Sequence, residues 1–176
     1  SKVHVDLHDR LTDYAPEAWA QTVVGLLSEL NPSAVLASGS DRGAEVMAHV
    51  AARADLPLAA NVTEVTPAGP GEPYAVTRLR WGGSLLEDAL LHGRVQLFTL
   101  APHALLSDPL PGSAAPEVRS FTPALADKDF RVMVTSRIEA DASKVSLAEA
   151  PVVVGGGRGV GSAEGFAVLE ELARLL

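Results

Sequence analysis

Apolar positions along this chain follow two rhythms. Val3 and Val5 flank His4, the alternation of a half-exposed strand over residues 2–6. Trp19, Val23, Leu26, Leu27 and Leu30 then fall on one face of a helix. Pro16 with Glu17 suits its first turn, and Asn31-Pro32 its end. Residues 34–37 (Ala-Val-Leu-Ala) read as a short buried strand, 38–43 as a small polar loop and 44–54 as a second helix. Residues 58–65 predict another strand, followed by a turn-rich stretch at 67–73 carrying Pro67, Pro70 and Pro73. Residues 74–81 alternate well, Gly82-Gly83 breaks the pattern, and Leu85, Leu86, Ala89 and Leu90 resume it. Residues 94–100 predict a further strand. Prolines at 102, 109, 111, 116 and 123 mark 101–123 as loop or linker, with a short strand at 117–121. The alternation from Phe130 to Glu139 predicts a strand. Val152, Val153 and Val154 are consecutive and β-branched, which suits a strand buried on both faces. Ser162 reads as the N-cap of a last helix over 163–176, whose apolar positions are Phe166, Leu169, Leu172, Ala173 and Leu176. Strands alternating with helices predict an α/β fold, a mostly parallel sheet flanked by helices in the manner of nucleotide-binding domains. There are no repeats and no heptads.

Composition narrows the class. The 176 residues, 47% hydrophobic and 20% charged, suit one or two packed domains. A net charge of −8 argues against non-specific nucleic-acid binding. The absence of cysteine excludes disulfides and thiolate metal sites. No apolar run reaches the length of a membrane span, so an integral membrane protein is not expected, and no secretory signal heads the chain. His4 and His8 lie near Asp6, Asp9 and Asp13, but without metal-ligand spacing they read as solvated polar residues, and no metal is expected.

The candidate chemistry lies in Val152-Val153-Val154-Gly155-Gly156-Gly157-Arg158-Gly159-Val160-Gly161-Ser162-Ala163-Glu164, read as strand, glycine loop and helix start. Bare glycine backbone can lie close against a ligand, helix N-termini favour anions, and Arg158 adds a permanent charge. The dinucleotide fingerprint fails: counted from Gly155 its third glycine falls on Val160, and from Gly157 on Ser162. The phosphate-loop pattern fails too, because Gly161 stands where its lysine should precede Ser162. A cofactor loop of another kind and a plain strand-to-helix turn with an exposed arginine both remain open. A second loop, Ser38-Gly39-Ser40-Asp41-Arg42-Gly43, could offer Arg42 to a phosphate, but a capped turn is the favoured reading.

The stretch from Val152 through Gly-Gly-Arg-Gly, Gly161-Ser162, Glu164-Gly165-Phe166 and Leu169-Glu170-Glu171-Leu172-Ala173 closely resembles the opening of the FAD-binding domain in electron transfer flavoprotein α subunits. The run from Thr77 to Pro102 resembles the same family in part, although Leu100 stands where an arginine often follows Thr99. The resemblance implies an internal fragment. Residues 1–143 would be most of the N-terminal α/β domain, and 144–176 the beginning of a second α/β domain that binds FAD. It further implies a heterodimer with a β subunit. Electrons would pass from acyl-CoA and related flavin-dependent dehydrogenases, as in fatty acid β-oxidation, to a membrane or other acceptor, and the setting would be cytoplasmic. Arg158 matches the family arginine that lies against the flavin ring, with Gly157 and Gly159 allowing close approach; no catalytic residue is expected. Two other functions compete. An unrelated nucleotide-binding oxidoreductase would need the intact fingerprint and an acid or base. A non-catalytic interaction domain would keep the scaffold and bind no cofactor, and weak or absent FAD binding is the expectation for this chain on its own.

Overall fold

The computed structural model describes residues 1–69, 71–105, 115–138, 147 and 150–176. They form two compact units, Ser1–Thr135 and Ser136–Leu176. The boundary expected at residue 143 lies outside the described residues.

The first unit runs β1 (Lys2–Asp6), α1 (Pro16–Leu30), β2 (Ala34–Ser38), α2 (Asp41–Ala54), β3 (Leu58–Thr66), β4 (Tyr74–Arg80), β5 (Leu85–Leu91), β6 (Gln96–Leu100) and β7 (Glu117–Phe121). Five strands form a mixed sheet in the order β2-β6-β3-β4-β5. β6 is parallel to both β2 and β3, while β3-β4-β5 is an antiparallel meander. β1 and β7 pair in parallel as a separate ribbon. The architecture is α/β, as the alternation of elements implies. The position of β6 between β2 and β3 explains its continuous burial: Gln96, Leu97, Phe98 and Thr99 are all buried. Leu97 packs with Ala20 and Leu27 of α1 and Met47 and Val50 of α2. Its neighbour Phe98 joins Val62, Val76 and Leu91 in a second cluster, as the two-residue period of a strand requires.

The loop at the end of β2 is a capped turn. Ser40 Oγ accepts the Gly43 N–H at 3.2 Å, and α2 begins at Asp41, three residues earlier than its apolar pattern suggests. A side chain on Gly43 would collide with the Ser38 carbonyl, and one on Gly39 with the Leu100 carbonyl, which accepts the Gly39 N–H at 2.7 Å. Arg42 lies over the Tyr14 ring, 5.0 Å from its centroid, and the Tyr14 hydroxyl donates to Glu45 at 2.6 Å. Burial and the Glu45 carboxylate push the Tyr14 hydroxyl up to about 12.

Two expected strands do not form. Phe130 closes a short 3-10 turn over Asp127–Phe130, and the chain continues without regular structure through Ile138; Glu139 is outside the described residues. Phe130 is drawn instead against Ala15 and Ala18 at the start of α1, which commits the segment to a helix surface rather than a sheet edge. Val152 and Val153, expected to be buried, are 57% and 55% exposed and belong to no strand. Among the described residues of the second unit there is no extended neighbour to pair with them, and an isolated strand is not stable in water.

Candidate functional site

The glycine loop of the second unit is a specific shape. After residues 155–157 the chain makes one 3-10 turn, Arg158–Val160, closed by Val160 N–H to the Gly157 carbonyl at 3.0 Å and Gly161 N–H to the Arg158 carbonyl at 3.2 Å. Gly161 sits at φ 81, a backbone region that favours glycine. Gly156 is needed for packing: a Cβ there would run into Leu169, Phe166 and Val160. Gly165 is needed as well, because a Cβ would strike the Val160 carbonyl. Gly157 and Gly159 differ from these, since a Cβ on either would meet nothing within 4 Å. The fold thus consumes Gly156 and Gly165 and leaves open space at the two glycines that flank Arg158. Arg158 is exposed and, among the described residues, has no hydrogen-bond or ion-pair partner.

The last helix, α3 (Phe166–Leu175), starts later than expected, and Gly165 rather than Ser162 is its N-cap residue. Residues 162–165 are used in bends, with Phe166 N–H bonded to the Ala163 carbonyl at 3.2 Å and Ala167 N–H to the Glu164 carbonyl at 3.1 Å. The Ser162 hydroxyl turns to Glu164 and, with a backbone N–H, holds that carboxyl below its ordinary range. The positive end of α3 is therefore set back from Arg158, and the anion cradle expected from a helix beginning at Ser162 does not form. What remains at the loop is one free guanidinium beside bare backbone, suited to the face of a planar, electron-rich or anionic group.

A second charged constellation lies in the first unit. Arg53 of α2 donates to Asp129 at 2.6 Å, to Gln21 at 2.8 Å and to Glu17 at 2.9 Å. Arg131 also donates to Glu17, at 3.1 Å. Asp129, only 2% exposed, takes the Ala126 N–H on its other oxygen at 2.9 Å. Burial pushes the Asp129 carboxyl up, but the Ala126 N–H and Arg53 outweigh it and hold it below its ordinary range. Glu17 is likewise lowered, chiefly by the hydrogen bond from Arg131. Every charge here has a protein partner, so the group fastens residues 126–131 to both helices. Its sequence signals are Glu17 with Gln21 and His49 with Arg53, each four apart on a helix. They pass unnoticed when only apolar spacing is followed. Among the described residues no group of three or more histidines and carboxylates is placed to hold a metal ion, and no helix is long and apolar enough to cross a membrane.

Fold and loop together define a class: an α/β domain followed by a unit that presents an arginine on open glycine backbone ahead of a helix. A family model described as the electron transfer flavoprotein domain matches residues 1–126, and the chain belongs to that family. Its relatives include the electron transfer flavoprotein subunit alpha of Mycobacterium leprae, 30% identical over 173 residues that cover 98% of this chain and 52% of the relative. The subunit alpha of Bacillus subtilis is 27% identical over 167 residues, covering 95% and 50% respectively. Protein FixB of Bradyrhizobium diazoefficiens is 32% identical over 171 residues, covering 94% and 45%. The chain spans about half the length of these relatives. The family match covers the sheet domain of the first unit, while the relatives' alignments span nearly the whole chain.

Proposed function

We propose that this chain is part of an alpha-type electron-carrier subunit. With a beta subunit, the whole protein holds FAD and passes electrons from flavin-dependent dehydrogenases, acyl-CoA dehydrogenases among them, to a membrane or other acceptor in the cytoplasm. Family membership supports the carrier role, and the free guanidinium of Arg158 between two unobstructed glycines is the observation that carries the flavin reading. The residues present fit one part of the cofactor. Arg158 would lie against the flavin ring, with Gly157 and Gly159 allowing the approach. The flavin supplies the electron chemistry when bound. Reduction adds negative charge to the ring, so a fixed cation favours the reduced form and raises the potential. Neither a nucleophile nor a proton shuttle is required of this chain.

The test is the flavin midpoint potential of the full-length protein assembled with its beta subunit, measured by equilibration with a reference dye. Arg158→Ala lowers the potential, and Arg158→Lys, which keeps the charge, falls between. An unchanged potential in Arg158→Ala removes Arg158 from this role. For the 176-residue chain alone, one cation on an open loop is a weak grip on so large a cofactor. Reconstituted with FAD and desalted, it loses its visible absorbance; retained flavin bands would show that it binds the cofactor unaided.

A further inference from the structure

The seven residues 155–161 carry only two side chains: five are glycine, and the others are Arg158 and Val160. Glycine loses more backbone freedom on ordering than any other residue, so a loop of this composition keeps one shape only where something grips it. Arg158 supplies no grip, because its side chain is exposed and without a partner among the described residues. A Cβ on Gly155, Gly157, Gly159 or Gly161 would meet nothing within 4 Å. Val160 is different. It is half-buried, and its two methyl groups close on bare backbone at two places. A Cβ on Gly156 would come within 2.9 Å of Val160 Cγ2, and one on Gly165 within 2.9 Å of Val160 Cγ1. Phe166 and Leu169 of α3 close on the same spot of Gly156.

The backbone of Val160 is tied on both sides as well. Its N–H reaches back across Arg158 and Gly159 to the Gly157 carbonyl at 3.0 Å, and its carbonyl accepts the Ser162 N–H at 3.0 Å. The first of these bonds closes the turn in which Arg158 stands. We infer that Val160 is the positioning residue of this site: seated between Gly156 and Gly165, it fixes the turn, and with it the place from which Arg158 reaches the flavin ring. This rests on the flavin reading above. The physical reason is distance. The hold of a fixed cation on a reduced, negatively charged ring weakens as the two separate, so a guanidinium on a loose turn does less than the same charge held close. The open glycines on either side of Arg158 admit the ring, and they also give the arginine a backbone latitude that the seat of Val160 limits.

The experiment measures the flavin midpoint potential of the full-length protein assembled with its beta subunit, in Arg158→Ala, Val160→Ala, the double variant and Val160→Ile. Val160→Ala lowers the potential, though by less than Arg158→Ala, and does so without removing a charge. The double variant falls no further than Arg158→Ala alone, because the valine acts through the arginine. Val160→Ile keeps both branches at Cβ and stays near the wild-type potential. In the flavin-free protein, the amides of Val160 and Gly161 exchange about fivefold faster in Val160→Ala, the loss expected for two half-buried carbon atoms. A wild-type potential in Val160→Ala beside a lowered one in Arg158→Ala would overturn the inference and leave the flavin reading in place. So would drops that add in the double variant, a drop in Val160→Ile as large as in Val160→Ala, or unchanged exchange at the two amides. Flavin lost from Val160→Ala but kept by Arg158→Ala would overturn it too, since the valine would then maintain the loop as a whole rather than place the arginine. An unchanged potential in Arg158→Ala would overturn the flavin reading and the inference with it.

Discussion

Asp129→Asn tests what fastens the end of the first unit. In the wild-type chain one carboxylate oxygen of Asp129 accepts from Arg53 and the other from the Ala126 N–H. Asparagine keeps the shape but turns one of these acceptors into an amide NH2, which must face a donor. It also leaves Arg53 short of a counter-charge in a site where Asp129 is almost wholly buried. Breaking a buried pair by removing one partner costs about 3–5 kcal/mol. The Arg53 side chain is 21% exposed, so water relieves part of the penalty, and about 3 kcal/mol is the expected loss. For a unit of this size that lowers the melting temperature by about 10 °C. Urea unfolding followed by helical circular dichroism reads the loss as a lower midpoint at unchanged slope. The pH dependence supplies the sign. A carboxyl whose folded pKa is depressed contributes stability above its unfolded pKa and loses it as pH falls through the folded one. The difference between wild type and variant is therefore full at neutral pH and closes below about pH 4. A loss under about 1 kcal/mol at neutral pH, or a difference independent of pH, would refute the assigned role.

Ser40→Ala removes the acceptor of the Gly43 N–H and destabilises the first unit by about 1 kcal/mol, read as a lower urea midpoint; no change would mean that the loop after β2 is held by its glycines alone. Gly156→Ala drives a methyl group into Leu169 and Phe166, so α3 loses its seat on the loop. The strain is about 1–3 kcal/mol, seen as faster amide exchange along α3, whereas Gly157→Ala leaves that exchange unchanged.

Much of the first unit was legible because burial there follows local periodicity. The 3.6-residue rhythm from Trp19 to Leu30 gave α1, alternation gave β1, β4 and β5, and the strand at 58–65 and the helix at 44–54 were read in nearly the places where β3 and α2 stand. The same rule failed at residues 130–139 and 152–154. Alternation and β-branching describe what a segment can do, and a strand also needs a neighbour with free N–H and C=O groups. Phe130 found the start of α1 instead, and Val152 to Val154 found no extended neighbour among the described residues. At the glycine loop, the sequence singled out Arg158, Gly157 and Gly159. Only the folded structure separates those two glycines, which are sterically free, from Gly156 and Gly165, where a Cβ would strike side chains of α3 and the Val160 carbonyl respectively.

By itself, then, the sequence determined the α/β class, the identity and order of most elements of the sheet domain, the capped turn after β2, and the loop with one arginine that resembles a flavin-binding motif. Each of these is written in residues close together in the chain, where spacing and backbone preference act directly. The tertiary structure decided the rest: β6 entering between β2 and β3, β1 pairing with β7, Arg53 reaching Asp129 across 76 residues, and α3 beginning at Phe166. Those outcomes depend on which surfaces meet once the chain is compact. A buried carboxylate beside Ala126 and Arg53 is set by neighbours distant in sequence, and no local pattern records that.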